Sequence, residues 1–214
     1  MARNRRPPTR GEEIANSITH GIGAALSIAG LVAVVVAALH RPAWQIVACA
    51  IYGTSLVLLY ISSTIYHALA DSRAKRVFKI LDHSSIYILI AGTYTPFTLI
   101  TLRGPWGWTL FGVVWGLCVC GVVFKCLWIG RLKVASTVVY VLMGWCAVLA
   151  IRPLLEALPW TGFVWLLAGG LCYTAGVAFY VSSSRFAHFI WHLFVMAGSL
   201  CQYWAVFRYV AAGP

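Results

Sequence analysis

Two histidines, His188 and His192, stand four residues apart in AHFIWHLFV, a run that otherwise reads as apolar helix. Imidazole is costly in hydrocarbon, and an ionisable residue inside a membrane helix is a functional candidate by default. The spacing puts both rings on one helix face. A third histidine, His67, follows Ser63 by four residues in SSTIYH, again on one face, and Asp82 lies in LDHSS. His20 completes the set in NSITH. Three imidazoles can bind one zinc ion, and three protein ligands plus a water is the open pattern of a catalytic zinc. Zinc lowers the pKa of such a water towards about 7. Asp82 would then orient a ligand or accept the proton of that water, and Ser63 would hydrogen-bond the water or a substrate oxyanion. Singly, each residue has a plainer reading. Asp82 could cap a helix, Ser63 could bond the backbone at residue 59, and His188 could sit at an interface.

The elements that must position these residues follow from composition. The 214 residues are 61% hydrophobic and 10% charged, with mean hydropathy +0.85. A soluble domain is about half apolar and about a quarter charged. So little polar surface cannot cover such a core in water, which makes the bilayer the solvent. At about 20 apolar residues per crossing, the chain divides into seven spans: 15–39, 44–70, 79–101, 106–128, 134–151, 160–182 and 186–210. The breaks are HRPAW, DSRAKR, LRGPWG, IGRLK, RPLLEALPW and SSSR. This predicts an all-α integral membrane protein, a seven-helix transmembrane bundle over 14–211 after a short basic cytoplasmic segment, 1–13. No short apolar core with a cleavage site follows the basic start, so no secretory signal is expected.

Charge sets the direction. Arg3, Arg5, Arg6, Arg10, Arg73, Lys75, Arg76, Lys79, Lys125, Arg131, Lys133 and Arg185 fall on one side; Arg41, Arg103, Arg152 and Arg208 fall on the other. Twelve against four predicts a cytoplasmic N-terminus and an outside C-terminus, in the plasma (inner) membrane. The same bias accounts for the net charge of +11 without a nucleic-acid partner. With that direction, His20, His67, Asp82 and the His188–His192 pair all fall at the cytoplasmic ends of their spans. Neither hydropathy nor the Lys/Arg count used the histidines, so their common depth is informative. His83, about 100° from Asp82 on a helix, is left out of the site; His40, Asp71 and Glu156 read as loop or opposite-side residues. Small residues, including the GxxxG of Gly112 and Gly116 and the pairs Gly21/Gly23 and Gly169/Gly170, are expected to allow close helix packing. Pro96 should kink the third span. The seven cysteines, all in apolar runs without a CxxC, read as small packing residues.

At these motifs the chain resembles the hemolysin III family, the bacterial branch of the progestin and adipoQ receptor family that includes adiponectin receptors. EEIANSITHGIG resembles its opening E-x-x-N-x-x-[ST]-H segment, giving Glu13, Asn16 and His20; SSTIYH…LDHSS resembles S-x-x-x-H…D; and HFIWH resembles the closing H-x-x-x-H. They occur in the family order, from Glu12 to about Val206. The resemblance implies a seven-helix bundle with one zinc ion near the cytoplasmic side, with His67, His188 and His192 as ligands and Asp82 and Ser63 beside the metal-bound water. It also implies kinship with membrane hydrolases such as alkaline ceramidases, hence a lipid-like amide or ester substrate and membrane lipids as partners. The long N-terminal and cytoplasmic segments of the animal receptors have no counterpart, so hormone binding is not expected. Two other functions stand beside the hydrolase: a membrane-lipid homeostasis sensor with structural zinc, and a hemolysin or pore. Against a pore, no span carries the continuous polar stripe of a channel lumen. The oligomeric state and the source organism are not written in the sequence.

Overall fold

The computed structural model describes residues 7–213; Arg3, Arg5 and Arg6 of the charge count lie outside them. Among the described residues the chain is helical, with no strand. Helix α1 (Arg10–Ala37) opens on a complete capping box, in which Thr9 accepts the Glu12 N–H while the Glu12 carboxylate takes the Thr9 N–H and hydroxyl. The two acids of its first turn suit the helix dipole. After Pro42 come α2 (Ala43–Ala68) and α3 (Arg73–Pro96). Past Pro96 the helix relaxes into a π-helical turn, Phe97–Thr101, so the expected disturbance at Pro96 takes the form of a widened turn. Gly104, at φ 130, leads into α4 (Pro105–Trp128), where Pro105 occupies the first turn, in which no N–H is needed. The fifth span is broken into α5 (Lys133–Gly144), a 3-10 stretch (Cys146–Ala150) and α6 (Ile151–Ala157). Then come α7 (Trp160–Val181) and α8 (Ala187–Val206), the latter ending in a second π turn.

The chain is a multi-pass membrane protein. Six stretches are long and apolar enough to cross a bilayer, counting Lys133–Ala157 as one; α3 supplies the seventh crossing, its mean hydropathy lowered by its basic first turns and by Asp82 and His83. Helix α1 shows what solvent the fold expects. Ile14, Ile18, Ile22 and Leu26 form an exposed stripe, while Asn16, Thr19, His20 and Ser27 are buried. Apolar outside and polar inside inverts the pattern of a water-soluble helix. Helix α1 packs on α2 and α8, α2 on α3, α3 on α4, and α7 on α8, so the first and last helices close the bundle.

Two expected loops are helical. DSRAKR is helix from Arg73, because Ser72 caps α3 by accepting the Lys75 N–H. RPLLEALPW is helix to Ala157, because Pro153 falls in the first turn of α6, where its missing N–H costs nothing. The glycines divide by face. A Cβ on Gly112, Gly116 or Gly170 would meet nothing within 4 Å, so among the described residues that GxxxG faces outward and joins no helices. A Cβ on Gly23 would lie 2.5 Å from the Tyr60 ring, and one on Gly169 would lie 2.5 Å from Gln202. Gly23→Ala is therefore expected to destabilise the bundle by about 1–3 kcal/mol by overpacking. Gly112→Ala should leave the melting temperature in detergent unchanged or raised; equal effects of the two would contradict this packing. All seven cysteines are free, with Cys49 and Cys118 inside and Cys120 and Cys126 outside.

Candidate metal centre

The site is built from helix ends. His67 lies in the last turn of α2, and His188 and His192 lie in the first turns of α8. The three rings converge, with centroids 5.1 Å apart for His67–His188 and His67–His192 and 4.6 Å for His188–His192. One ligand nitrogen from each lies within 4.8 Å of the others. His67 and His192 are buried, and their Nε2 and Nδ1 atoms respectively have no hydrogen-bond partner. A buried nitrogen left unpaired costs about 1–3 kcal/mol. An all-imidazole set with unclaimed lone pairs fits a divalent metal of the zinc type, which accepts three histidines and keeps a fourth position open.

Asp82 stands ten residues into α3 beyond the true cap, Ser72, so the capping explanation fails. Its carboxylate lies 3.2 Å from His83 Nδ1 and within electrostatic reach of His20, His67 and His188. His83, left out of the site on sequence grounds, thus touches Asp82, while its Nδ1 also hydrogen-bonds the Lys79 carbonyl at 2.9 Å. Ser63 lies beside Asp82, with its side chain buried. It does not bond Leu59; the neighbouring Ser62 does, at 3.1 Å.

His20, on α1, is brought against the trio. Its ring stacks on His192 with centroids 3.5 Å apart and planes 13° apart, and packs edge-on with Tyr60 at 5.0 Å. Both nitrogens of His20 and the Asn16 side-chain oxygen are buried without partners. Glu13 is the residue whose role the sequence hid. His67 Nδ1–H donates to Glu13 Oε2 at 2.5 Å, and Lys75 Nζ donates to Glu13 Oε1 at 2.9 Å. The signal was present in part, since Glu13, Asn16 and His20 share one face of α1. These contacts join one end of α1, α2, α3 and α8, as the common depth of the polar residues required.

Alongside runs an apolar groove between α3, α5, α7 and α8. Tyr140, Trp145, Tyr173, Tyr180 and Trp191 line it. Trp191 is the sequence neighbour of His192, and the Tyr180 ring lies 6.2 Å from that of His188, so two of the lining aromatics lie near the histidines, although no histidine lines the space itself.

A family profile described as Haemolysin-III related matches residues 9–203. The chain belongs to the haemolysin III family. It is 50% identical over 201 residues to Hemolysin-3 of Bacillus cereus, covering 93% of this chain and 92% of that one. It is 46% identical over 205 residues to the Hemolysin-3 homolog of Bacillus subtilis (strain 168), covering 95% and 96%. It is also 30% identical over 223 residues to the human Monocyte to macrophage differentiation factor, covering 100% and 90%. The matched region takes in every residue of the candidate centre, from Glu12 to His192. No solved structure matches the chain.

Proposed function

We infer that this family member is a zinc-dependent hydrolase of lipid-like amide or ester bonds, held in the plasma membrane with its N-terminus and metal centre at the cytoplasmic side. The observation that carries the reading is the convergence of His67, His188 and His192, with His67 Nε2 and His192 Nδ1 unclaimed, close to the Asp82 carboxylate. Zinc held by the three imidazoles would supply a Lewis acid and a readily ionised water. The chain's own residues do the rest. The apolar space takes the acyl chain and sets the carbonyl against the histidines. Ser63, beside Asp82, donates to the developing oxyanion. Asp82 accepts the proton of the attacking water and returns it to the leaving nitrogen or oxygen. His83 Nδ1, 3.2 Å away, bounds the Asp82 carboxylate on one side. The twelve-to-four distribution of Lys and Arg supports the orientation. Membrane lipids are the proposed partners.

The test is release of fatty acid from long-chain amides and esters by the full chain in lipid nanodiscs. Turnover that falls on chelation and returns with zinc is expected; no turnover on any long-chain amide or ester would overturn the reading. A haemolytic function is favoured by the names of the Bacillus relatives. Concentration-dependent lysis of erythrocytes by purified protein would establish it in place of hydrolysis. A lipid sensor with structural zinc would instead show a cobalt-substituted centre with no exchangeable water.

A further inference from the structure

Glu12 and Glu13 are adjacent, and as neighbours on α1 they diverge by about 100°. Each reaches a different ligand-bearing helix. Glu13 grips α2 at the ligand itself, accepting the Nδ1–H of His67. That hydrogen bond places the proton on Nδ1 and leaves Nε2, the buried and unpartnered nitrogen, with its lone pair facing the other two histidines. Lys75 Nζ holds the second Glu13 oxygen and also donates to the Leu69 carbonyl at 2.9 Å, just past the end of α2. The carboxylate is thereby clamped between two donors and cannot rotate away. Glu12 grips α8. Its Oε1 accepts the Phe186 N–H at 2.8 Å, and its Oε2 is held by Thr9. Phe186 is in the left-handed region, φ 58, where a bulky residue is strained, and it directly precedes the helix that carries His188 and His192. The Glu12 bond restrains the turn that sets where α8 begins.

We propose that Glu13 is the positioning residue of the metal centre, fixing the tautomer and ring plane of His67, and that Glu12 sets the entry of α8 so that His188 and His192 meet it. Neither carboxylate is a ligand; they assemble the three imidazoles before any ion arrives. The inference rests on the zinc reading above. Partners that orient a metal-bound histidine are typically worth 10–100-fold in metal affinity.

The experiment measures zinc affinity by chelator competition, together with the His67 tautomer by ¹⁵N NMR of histidine-labelled, metal-stripped full chain in nanodiscs. Wild type is expected to hold His67 as the Nδ1–H form. Glu13→Ala should bind zinc about 10–100-fold more weakly and release His67 to a tautomer mixture. Glu13→Gln, whose amide oxygen still accepts from Nδ1, should fall between the two; it also serves if the alanine variant does not fold. Glu12→Ala should weaken zinc binding while leaving the His67 tautomer fixed, which a general loss of structure would not do. Wild-type affinity and an unchanged tautomer in both Glu13 variants would overturn the positioning role while leaving the zinc site standing. Wild type that binds no zinc would overturn the zinc reading itself, and the inference with it.

Discussion

Asp82→Asn is expected to keep its zinc and to lose about 10²–10⁴-fold in turnover on a long-chain amide or ester. The substitution keeps shape and removes the ability to take a proton. Asp82 stands outside the trio of converging imidazoles, so nothing in metal binding depends on its charge directly. Its side chain is 14% exposed and is turned to His83 rather than to bulk water, so no solvent carboxylate can replace it. Metal content and turnover measured on the same preparation separate the outcomes. Unchanged turnover removes Asp82 from proton transfer. Zinc lost with turnover makes Asp82 a ligand, and the three-histidine site becomes a site of four.

Replacing His188 and His192 together by alanine is expected to abolish the response of thermal stability to zinc. In the wild type, zinc at about 1,000 times its dissociation constant stabilises the folded state by about 4 kcal/mol. For a chain of this size that corresponds to a shift in melting temperature on the order of 10 °C. The double variant removes two of three ligands, so its melting curves with zinc and with chelator should coincide. It also removes a buried, unpartnered His192 nitrogen, so without metal the variant should be less destabilised than a loss of two buried side chains alone would imply. A variant that still gains stability from zinc would place the binding elsewhere in the chain.

The spans and the common depth of the polar residues were legible because both follow from period and hydropathy. Asn16 and His20 turn inward on α1 while Ile14, Ile18 and Ile22 turn outward, and a 3.6-residue period records that directly. The three converging histidines were legible for the same reason, with the family motifs separating His67 from His20. Loop boundaries were less so. Charge and proline were read as loop signals at 71–76 and 152–160, yet a capped first turn welcomes proline and tolerates charge, and helices occupy both. The GxxxG at Gly112 and Gly116 was misread because spacing gives a face but not what it meets; among the described residues it meets nothing. Glu13 was hardest. Its partner His67 is 54 residues away, on a helix whose rotation about its axis only packing decides. The contact that orients a candidate ligand was therefore the part of the site least visible in one dimension.

The most direct measurement is the metal content of the full chain purified without chelator and without a histidine tag, by inductively coupled plasma mass spectrometry. About one zinc per chain, absent from the His188→Ala, His192→Ala variant prepared in parallel, is the predicted result. Well-folded wild type without stoichiometric metal would contradict the account, leaving three imidazoles whose convergence serves packing alone.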